Sequence, residues 1–268
     1  MRENCMTVRI VVSVVILVGA TFSTAFGYDF QDCTETCNTN CRLIANVDCI
    51  NADGIILSGG ADLDMNGKTI SCSSNCPAAA VKIAAGSSSV KNTGGGTPTI
   101  TGAFTYGVNC QNQSTSEVLG IYFEDIGGTA IKDCAKVSNN VVLGDLQGGT
   151  IGIGSTGVAN SDYVRDNYVE GVSIGIAAVT SKNVLIEENQ IVLRDMTGGA
   201  SEIGINTGVL SGSPTITITH NGFAGDATLA QYIAGTTGVT ATENFCDPDS
   251  AMCQSCGVSC RQPPTVPY

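Results

Sequence analysis

Two short phrases recur along the chain at nearly constant spacing, and this recurrence constrains the fold more than any other feature. The first phrase is a small residue followed by isoleucine or valine, at Gly107-Val108, Ala130-Ile131, Gly152-Ile153, Gly175-Ile176 and Gly204-Ile205. The second phrase ends a short strand pattern in asparagine, at Asn140, Asn167, Asn189, Asn221 and Asn244. The apolar members of the first phrase lie 23, 22, 23 and 29 residues apart. A unit of this size cannot bury its own apolar face, so the copies must stack on one another.

Stacking also predicts a use for the recurring asparagine. Asparagine tolerates left-handed backbone geometry, and its amide can bond to the matching asparagine about 4.8 Å away on the next coil. An antiparallel β-sandwich would also explain many short strands, but it gives no reason for the matched phrases. We therefore interpret the chain as a β-solenoid.

The stretch ADLDMNGKTISC (residues 61–72) carries the same signal locally. Apolar residues alternate with Asp62 and Asp64, which is the pattern of a half-buried strand. Asn66-Gly67 then favours a turn, because both residues accept a positive φ. We interpret the stretch as one corner of a coil.

The longer segment ADGIILSGGADLDMNGKTISC (residues 52–72) resembles the opening coils of secreted parallel β-helix proteins of the pectate-lyase-like superfamily. In those proteins a phrase of the type LDLNG-TI follows a short N-terminal strand and cap. The resemblance covers about residues 41–246. It implies an all-β fold, namely a right-handed parallel β-helix with disulfide-rich N- and C-terminal caps.

The first 27 residues predict a secretory signal peptide. Two arginines flank the start of an apolar run (residues 10–20) that is too short to span a membrane. The rest divides into a Cys-rich N-terminal cap (28–54), a parallel β-helix (55–245) and a Cys-rich C-terminal cap with a tail (246–268). We expect a secreted, periplasmic or cell-surface protein without a transmembrane segment.

The cysteines predict a disulfide framework. Cys5 is removed with the signal peptide, and the twelve that remain form an even set in an oxidising compartment. They are Cys33, Cys37, Cys41, Cys49, Cys72, Cys76, Cys110, Cys134, Cys246, Cys253, Cys256 and Cys260. Zinc is the alternative for the last four, although no histidine lies among them. The spacing of four between Cys33, Cys37 and Cys41 predicts a short N-terminal helix with these residues on one face.

The charge balance excludes several partners. The chain has 12 Lys+Arg against 24 Asp+Glu, a formal net charge of −12, and no basic stripe. Such a surface argues against nucleic acid and against anionic membranes. Because 43% of the residues are hydrophobic and only 13% are charged, the composition indicates a folded, turn-rich β protein rather than disorder.

The residues that precede the recurring asparagines are the candidate catalytic groups. Stacking would place His220, the only histidine in the chain, between Glu188 and Glu243 on adjacent coils, with Asp166 one coil before Glu188. A histidine flanked by carboxylates suits acid/base catalysis. An exposed acidic edge with a passive histidine is the alternative interpretation.

A second series of acidic residues follows the strand ends. It consists of Asp125, Asp145, Glu170, Asp195, Asp226 and Asp247. If these carboxylates stacked in register they would suit Ca²⁺, with Asp125, Asp145, Asp195 and Asp226 as possible ligands. The alternative is a solvated acidic edge that resists aggregation.

The catalytic signatures of the resembled superfamily are missing. Its pectate-cleaving members use calcium with a basic residue, and related hydrolases use paired aspartates and a Gly-His-Gly-like segment. This chain has no Gly-His-Gly, no Asp-Asp pair and no arginine cluster. We therefore expect a non-enzymatic exported or surface protein that binds a polysaccharide or a cell-envelope partner. A polysaccharide lyase or glycoside hydrolase using Glu188, His220 and Glu243 is the second hypothesis.

Overall fold

The computed structural model describes residues 28–52, 54–146, 148–157, 163–197, 202–225, 231–235 and 238–246. The segment predicted to be a signal peptide lies outside these residues, as do Cys253, Cys256 and Cys260. The described residues form three parallel sheets, which we call A, B and C, and contain no helix. Each coil passes through sheet B, then sheet A, then sheet C, and pairs with the coils before and after it. The predicted parallel β-helix is confirmed.

The three sheets take their strands in rotation along the chain. Sheet A contains β1 (Tyr28–Phe30), β3 (Cys41–Leu43), β6 (Leu63–Asp64), β9 (Ser89–Lys91), β12 (Glu117–Leu119), β15 (Lys136–Ser138), β18 (Tyr163–Arg165), β21 (Val184–Glu187), β24 (Ile216–Thr219) and β27 (Val239–Thr242). Sheet B contains β2 (Thr36–Cys37), β5 (Ile55–Leu57), β8 (Ala79–Ile83), β11 (Tyr106–Asn109), β14 (Thr129–Lys132), β17 (Ile151–Gly157), β20 (Ile174–Thr180), β23 (Ile203–Val209) and β26 (Gln231–Ala234). Sheet C contains β4 (Val47–Asp48), β7 (Thr69–Cys72), β10 (Thr99–Gly102), β13 (Tyr122–Glu124), β16 (Val141–Leu143), β19 (Tyr168–Glu170), β22 (Gln190–Leu193), β25 (Gly222–Gly225) and β28 (Phe245–Cys246).

The apolar member of the first repeated phrase forms one row of the core. Val108, Ile131, Ile153, Ile176 and Ile205 pair with one another on successive strands of sheet B. All five are buried. Burying a side chain of this size contributes roughly 1.5–3 kcal/mol, so the row is a main source of stability. The phrase recurs because each coil must supply one such residue.

The small member of the phrase is required by close packing. A Cβ atom on Gly175 would lie 2.6 Å from the carbonyl oxygen of Gly204 and 2.7 Å from the side chain of Ile191. At Gly152 the corresponding distance to the carbonyl oxygen of Gly175 is also 2.6 Å. A larger residue would therefore push adjacent coils apart, because packed interiors do not yield easily.

The predicted amide ladder is present. We call Asn140, Asn167, Asn189, Asn221 and Asn244 the asparagine row. The Nδ2 of each donates to the Oδ1 of the next at 2.9–3.0 Å, and all five are buried. The left-handed residue was predicted to be asparagine itself, and this is wrong. The positive φ falls on the residue immediately before each asparagine.

The N-terminal helix predicted from the cysteine spacing is wrong as well. Cys37 ends β2 and Cys41 begins β3, and a disulfide joins them across the intervening turn. A spacing of four residues thus fits a strand–turn–strand reversal as well as it fits a helix. The described residues also contain the disulfides Cys33–Cys49, Cys72–Cys76 and Cys110–Cys134, and Cys246 is disulfide-bonded.

The stretch at residues 61–72 is one corner of a coil, as predicted. β6 belongs to sheet A and β7 to sheet C, and Asn66 (φ 47°) and Gly67 (φ 66°) make the turn between them. Asp64 differs from the alternating pattern, because it is fully buried rather than exposed. Its Oδ1 accepts the backbone N–H groups of Asn66 and Thr93, each at 2.9 Å. The carboxylate therefore fastens this corner to the next coil.

Candidate functional site

The four residues that precede the later asparagines lie together on the outside of the corner between sheets A and C. We call Asp166, Glu188, His220 and Glu243 the corner ladder. All four are exposed and each stands on its own coil. Backbone hydrogen bonds link consecutive coils here, from Asp166 N to Glu187 O and from Glu188 N to Thr219 O, both at 3.3 Å. The stacking that the sequence predicted for Glu188, His220 and Glu243 is thus what the backbone shows.

The corner ladder has an unusual backbone. The φ angles of Asp166, Glu188, His220 and Glu243 are 55°, 56°, 57° and 54°, in the left-handed region. Glycine and asparagine adopt that region readily, whereas a glutamate does so at a cost of about 1 kcal/mol or more. Gly120 and Asn139 occupy the same corner on the two preceding coils and follow the expected preference. Residues kept in a disfavoured conformation point to a role for their side chains.

His220 has two polar neighbours. Its Nε2 lies 2.8 Å from Oε2 of Glu243, and its Nδ1 lies 3.0 Å from the hydroxyl of Thr219. The side chains of His220 and Glu243 remain 49% and 67% exposed. Solvent therefore surrounds the pair, and a water-exposed pair lacks the desolvation that tunes catalytic acids and bases.

Three members of the corner ladder form one wall of a cleft that continues onto sheet C. The cleft has a volume of about 460 Å³ and includes Asp166, Glu188 and His220 in its lining. Tyr168, Gln190, Gly222 and Phe245 also line it, and Asn167 and Asn189 are buried beneath it. We call it the corner cleft.

A glycine creates the hollow. Tyr168, Gln190, Gly222 and Phe245 pair in one row across sheet C, on four successive coils. Three of them carry large half-exposed side chains, and Gly222 has none. The side chains of Gln190 and Phe245 therefore flank a gap at Gly222, and the ring of Tyr168 lies one coil beyond Gln190. Sequence reasoning missed these residues, although each directly follows a member of the asparagine row.

The second acidic series does not form the predicted ladder. Glu170 pairs with Leu143, which pairs with Glu124. Counted from that row, Asp125 lies one residue further along the chain on its coil, and Asp145 lies two residues further. Asp195 lies three residues beyond Val192, the partner of Glu170. Asp125, Asp145 and Asp195 therefore stand at three different offsets from one paired row and do not share a register.

The register therefore separates the carboxylates that were predicted to share calcium. Among the residues that the structure describes, no three His, Cys, Asp or Glu side chains lie close enough to hold a metal ion. Asp226 and Asp247 lie outside those residues. Partial burial raises the pKa of Tyr122, and the negative charges of Glu124 and Asp125 raise it further.

Comparison with known proteins adds no family to this picture. No family model matches the chain, no curated protein is similar to it, and no solved structure matches its fold. In the part of the chain that the structure describes, no helix is long and apolar enough to cross a membrane.

Proposed function

We propose that this chain is an exported or cell-surface protein that binds an uncharged polysaccharide in the corner cleft and does not cleave it. The observation that carries the proposal is the gap at Gly222 between the side chains of Gln190 and Phe245, in a cleft that the ring of Tyr168 also lines. Ligand sites combine aromatic or apolar surface with a few polar groups that fix orientation. Here the rings would contact the apolar faces of sugar residues, and the carboxylates of the corner ladder would accept hydrogen bonds from their hydroxyl groups.

The charges around the cleft support an uncharged ligand. Asp166, Glu188 and Glu243 carry carboxylates, and Arg165 lies beside the first of them, with its Nε 3.7 Å from Oδ2 of Asp166. This excess of negative charge disfavours uronic acid or sulfated chains, because like charges at close range repel. Membership of the pectate-lyase-like superfamily stays a prediction. The acidic lining of the cleft differs from a groove that binds an acidic polysaccharide through basic residues.

The four described disulfides support export, because such bonds persist in oxidising compartments. The proposed location is outside the cell, in the periplasm or at the cell surface. Calcium has no part in it, so retention on polysaccharide should be the same with and without a chelator.

A glycoside hydrolase is the second candidate, and one observation favours it. His220 lies within hydrogen-bond distance of Glu243, while Glu188 stands on the coil before it. Two glutamates that are two coils apart would be separated by about 10 Å, near the upper end of the spacing used by inverting glycosidases. The exposure of both His220 and Glu243 argues against this role.

The binding proposal is tested by affinity electrophoresis or column retention on uncharged polysaccharides, with a uronic polymer as the charged comparison. Gly222→Gln fills the gap with the side chain that already occupies the same row at Gln190, and it should abolish retention. Phe245→Ala should weaken retention about tenfold or more, as the loss of an aromatic anchor does. Tyr122→Ala is the matched control, because Tyr122 belongs to the same row but lies outside the cleft.

The products distinguish the two candidates. Retention without new reducing ends and without unsaturated ends supports binding alone. New reducing ends that disappear in His220→Asn would establish the hydrolase instead. Asparagine is the suitable replacement, because it accepts the left-handed backbone at this position. Failure of every uncharged polysaccharide to retain the protein would overturn the proposal.

A further inference from the structure

A second cleft lies on the outer face of sheet C, at the opposite end of its strands from the corner cleft. Its volume is about 510 Å³. Leu143, Leu146, Glu170, Gly171, Arg194 and Asp195 line it. We call it the distal cleft. It combines apolar side chains with groups of both charge signs, which is the composition of a site for a polar but uncharged ligand.

Leu146 is the most unusual residue of the distal cleft. Its φ is 62°, in the left-handed region, and its side chain is 38% exposed. A bulky residue in this conformation is an outlier, and an exposed leucine gains nothing from burial that would offset it. Hydrogen bonds hold it in place, since its N–H donates to Gly171 O at 3.2 Å and its carbonyl accepts the N–H of Thr197 at 3.0 Å.

The opposite wall of the distal cleft is anchored from the interior. Glu202 is 1% exposed, and its Oε1 accepts the N–H of Met196 at 2.9 Å. Met196 is buried beside Arg194 and Asp195, which both line the cleft. Arg194 is further fixed by Glu170, whose Oε1 lies 2.8 Å from its Nε. The polar groups on this side therefore have defined positions.

The two clefts share a wall. Tyr168 lines the corner cleft and Glu170 lines the distal cleft, and the two residues lie at either end of strand β19, on the same face. The hydroxyl of Tyr168 donates to Oε2 of Glu170 at 2.5 Å. One surface thus runs along strand β19 from the corner cleft to the distal cleft.

We propose that the distal cleft is a second subsite for the same uncharged polysaccharide, so that one sugar chain lies across sheet C from the corner cleft to Leu146. This inference rests on the proposed function. Leu143 and Leu146 would contact the apolar faces of the sugar residues, while Glu170, Arg194 and Asp195 bond to hydroxyls. The shared wall makes the two sites continuous for a linear chain.

The experiment is a calorimetric titration with short and long oligosaccharides cut from the polysaccharide that the full chain retains. Affinity should rise with oligosaccharide length until both clefts are filled. Leu146→Gly should then lower the affinity for long oligosaccharides about tenfold and leave that for short ones unchanged. Glycine fits φ 62° without strain, so this variant keeps the fold. Leu210→Ala is the control, because Leu210 is an exposed leucine outside both clefts.

Each result has a definite reading. If short oligosaccharides bind and length adds nothing, the second subsite is wrong while the corner cleft stands. If Leu146→Gly weakens short and long oligosaccharides equally, the second subsite is also wrong. If no oligosaccharide binds, the proposed function itself fails.

Discussion

The two halves of the solenoid hold their coils together by different means. Between residues 33 and 134 four disulfides join neighbouring strands and turns. From residue 140 to residue 244 the asparagine row connects each coil to the next through buried amides. The row begins shortly after Cys134, and Oδ1 of Asn140 accepts the N–H of Ile121 on the preceding coil. The disulfide of Cys246 lies beyond the last member of the row.

This difference bears on function. A disulfide fixes two positions and leaves the other corners of a coil free to vary. The asparagine row fixes the same corner on every coil and sets the residue before it in a left-handed conformation with its side chain outward. Both candidate clefts lie in the half that contains the asparagine row, where a regular surface of four or more coils is available.

Reduction of the disulfides should have the largest effect on stability. Each bond contributes roughly 2–4 kcal/mol, so losing four of them removes free energy comparable to the whole stability of a domain. Reduced protein should therefore melt far below oxidised protein in circular dichroism. Limited proteolysis of the reduced protein should cut within residues 33–134 before it cuts within residues 140–244. If the first cleavage falls within residues 140–244, the two halves do not differ in their dependence on disulfides.

The individual bonds sharpen this prediction. Removing Cys110–Cys134, which closes 24 residues, should cost about 3 kcal/mol in the free energy of unfolding. Removing Cys72–Cys76, which closes 4, should cost about 2 kcal/mol. Paired alanine substitutions and denaturant titration measure both values, and a larger loss for the shorter loop would contradict the loop-closure account.

Asn189→Ala should be the most damaging single substitution in the other half, at about 3 kcal/mol. Asn189 is fully buried, accepts from the backbone N–H and Nδ2 of Asn167, and donates to Asn221, so its loss leaves several buried groups unpaired. Asn183→Ala is the matched control. Asn183 is exposed and accepts one N–H, from Thr215, and its loss should cost about 1 kcal/mol or less. Equal losses in urea unfolding would show that burial does not matter here.

Glu188→Asn should change the free energy of unfolding least, and it should stabilise the protein instead of destabilising it. Asparagine accepts φ 56° more readily than glutamate, so the free energy of unfolding should rise by about 0.5–1 kcal/mol. Retention on polysaccharide should fall at the same time, because a carboxylate is lost from the corner cleft. Glu187→Asn, one residue earlier in strand β21, should not stabilise. A stabilised variant with full retention would remove the functional reason for the strained corner.

The repeated phrases were enough to predict the parallel fold and the stacking of Glu188, His220 and Glu243. These residues lie at a fixed distance from the asparagine row, and the row keeps one register throughout. The acidic series failed for the converse reason, because Asp125, Asp145 and Asp195 stand one, two and three residues beyond the paired row. Register is a property of strand pairing, and only a residue tied to a paired position inherits it.

The gap at Gly222 could not be predicted in the same way. A glycine after asparagine is common at turns, and the sequence does not show that its neighbours across the sheet are Gln190 and Phe245. The strain at Leu146 is invisible for a similar reason, since leucine seldom adopts a positive φ. The missing side chain at Gly222 and the positive φ of Leu146 acquire meaning only from the residues that surround them in the folded chain.

The asparagine row also gives the solenoid a polarity. From Asn140 to Asn221, each Nδ2 donates to the asparagine of the later coil, so the side-chain bonds of the row run head to tail along the stack. Each Nδ2 of the row, including that of Asn244, also donates to a backbone carbonyl of the preceding coil. Aligned hydrogen bonds of this kind polarise one another. Every side-chain oxygen in the row accepts from the coil before it, whereas the amide nitrogens of Asn140 to Asn221 bridge the coils on both sides. The two directions along the stack are therefore chemically distinct, and a coil added after Asn140, Asn167, Asn189 or Asn221 meets an N–H donor already directed toward it.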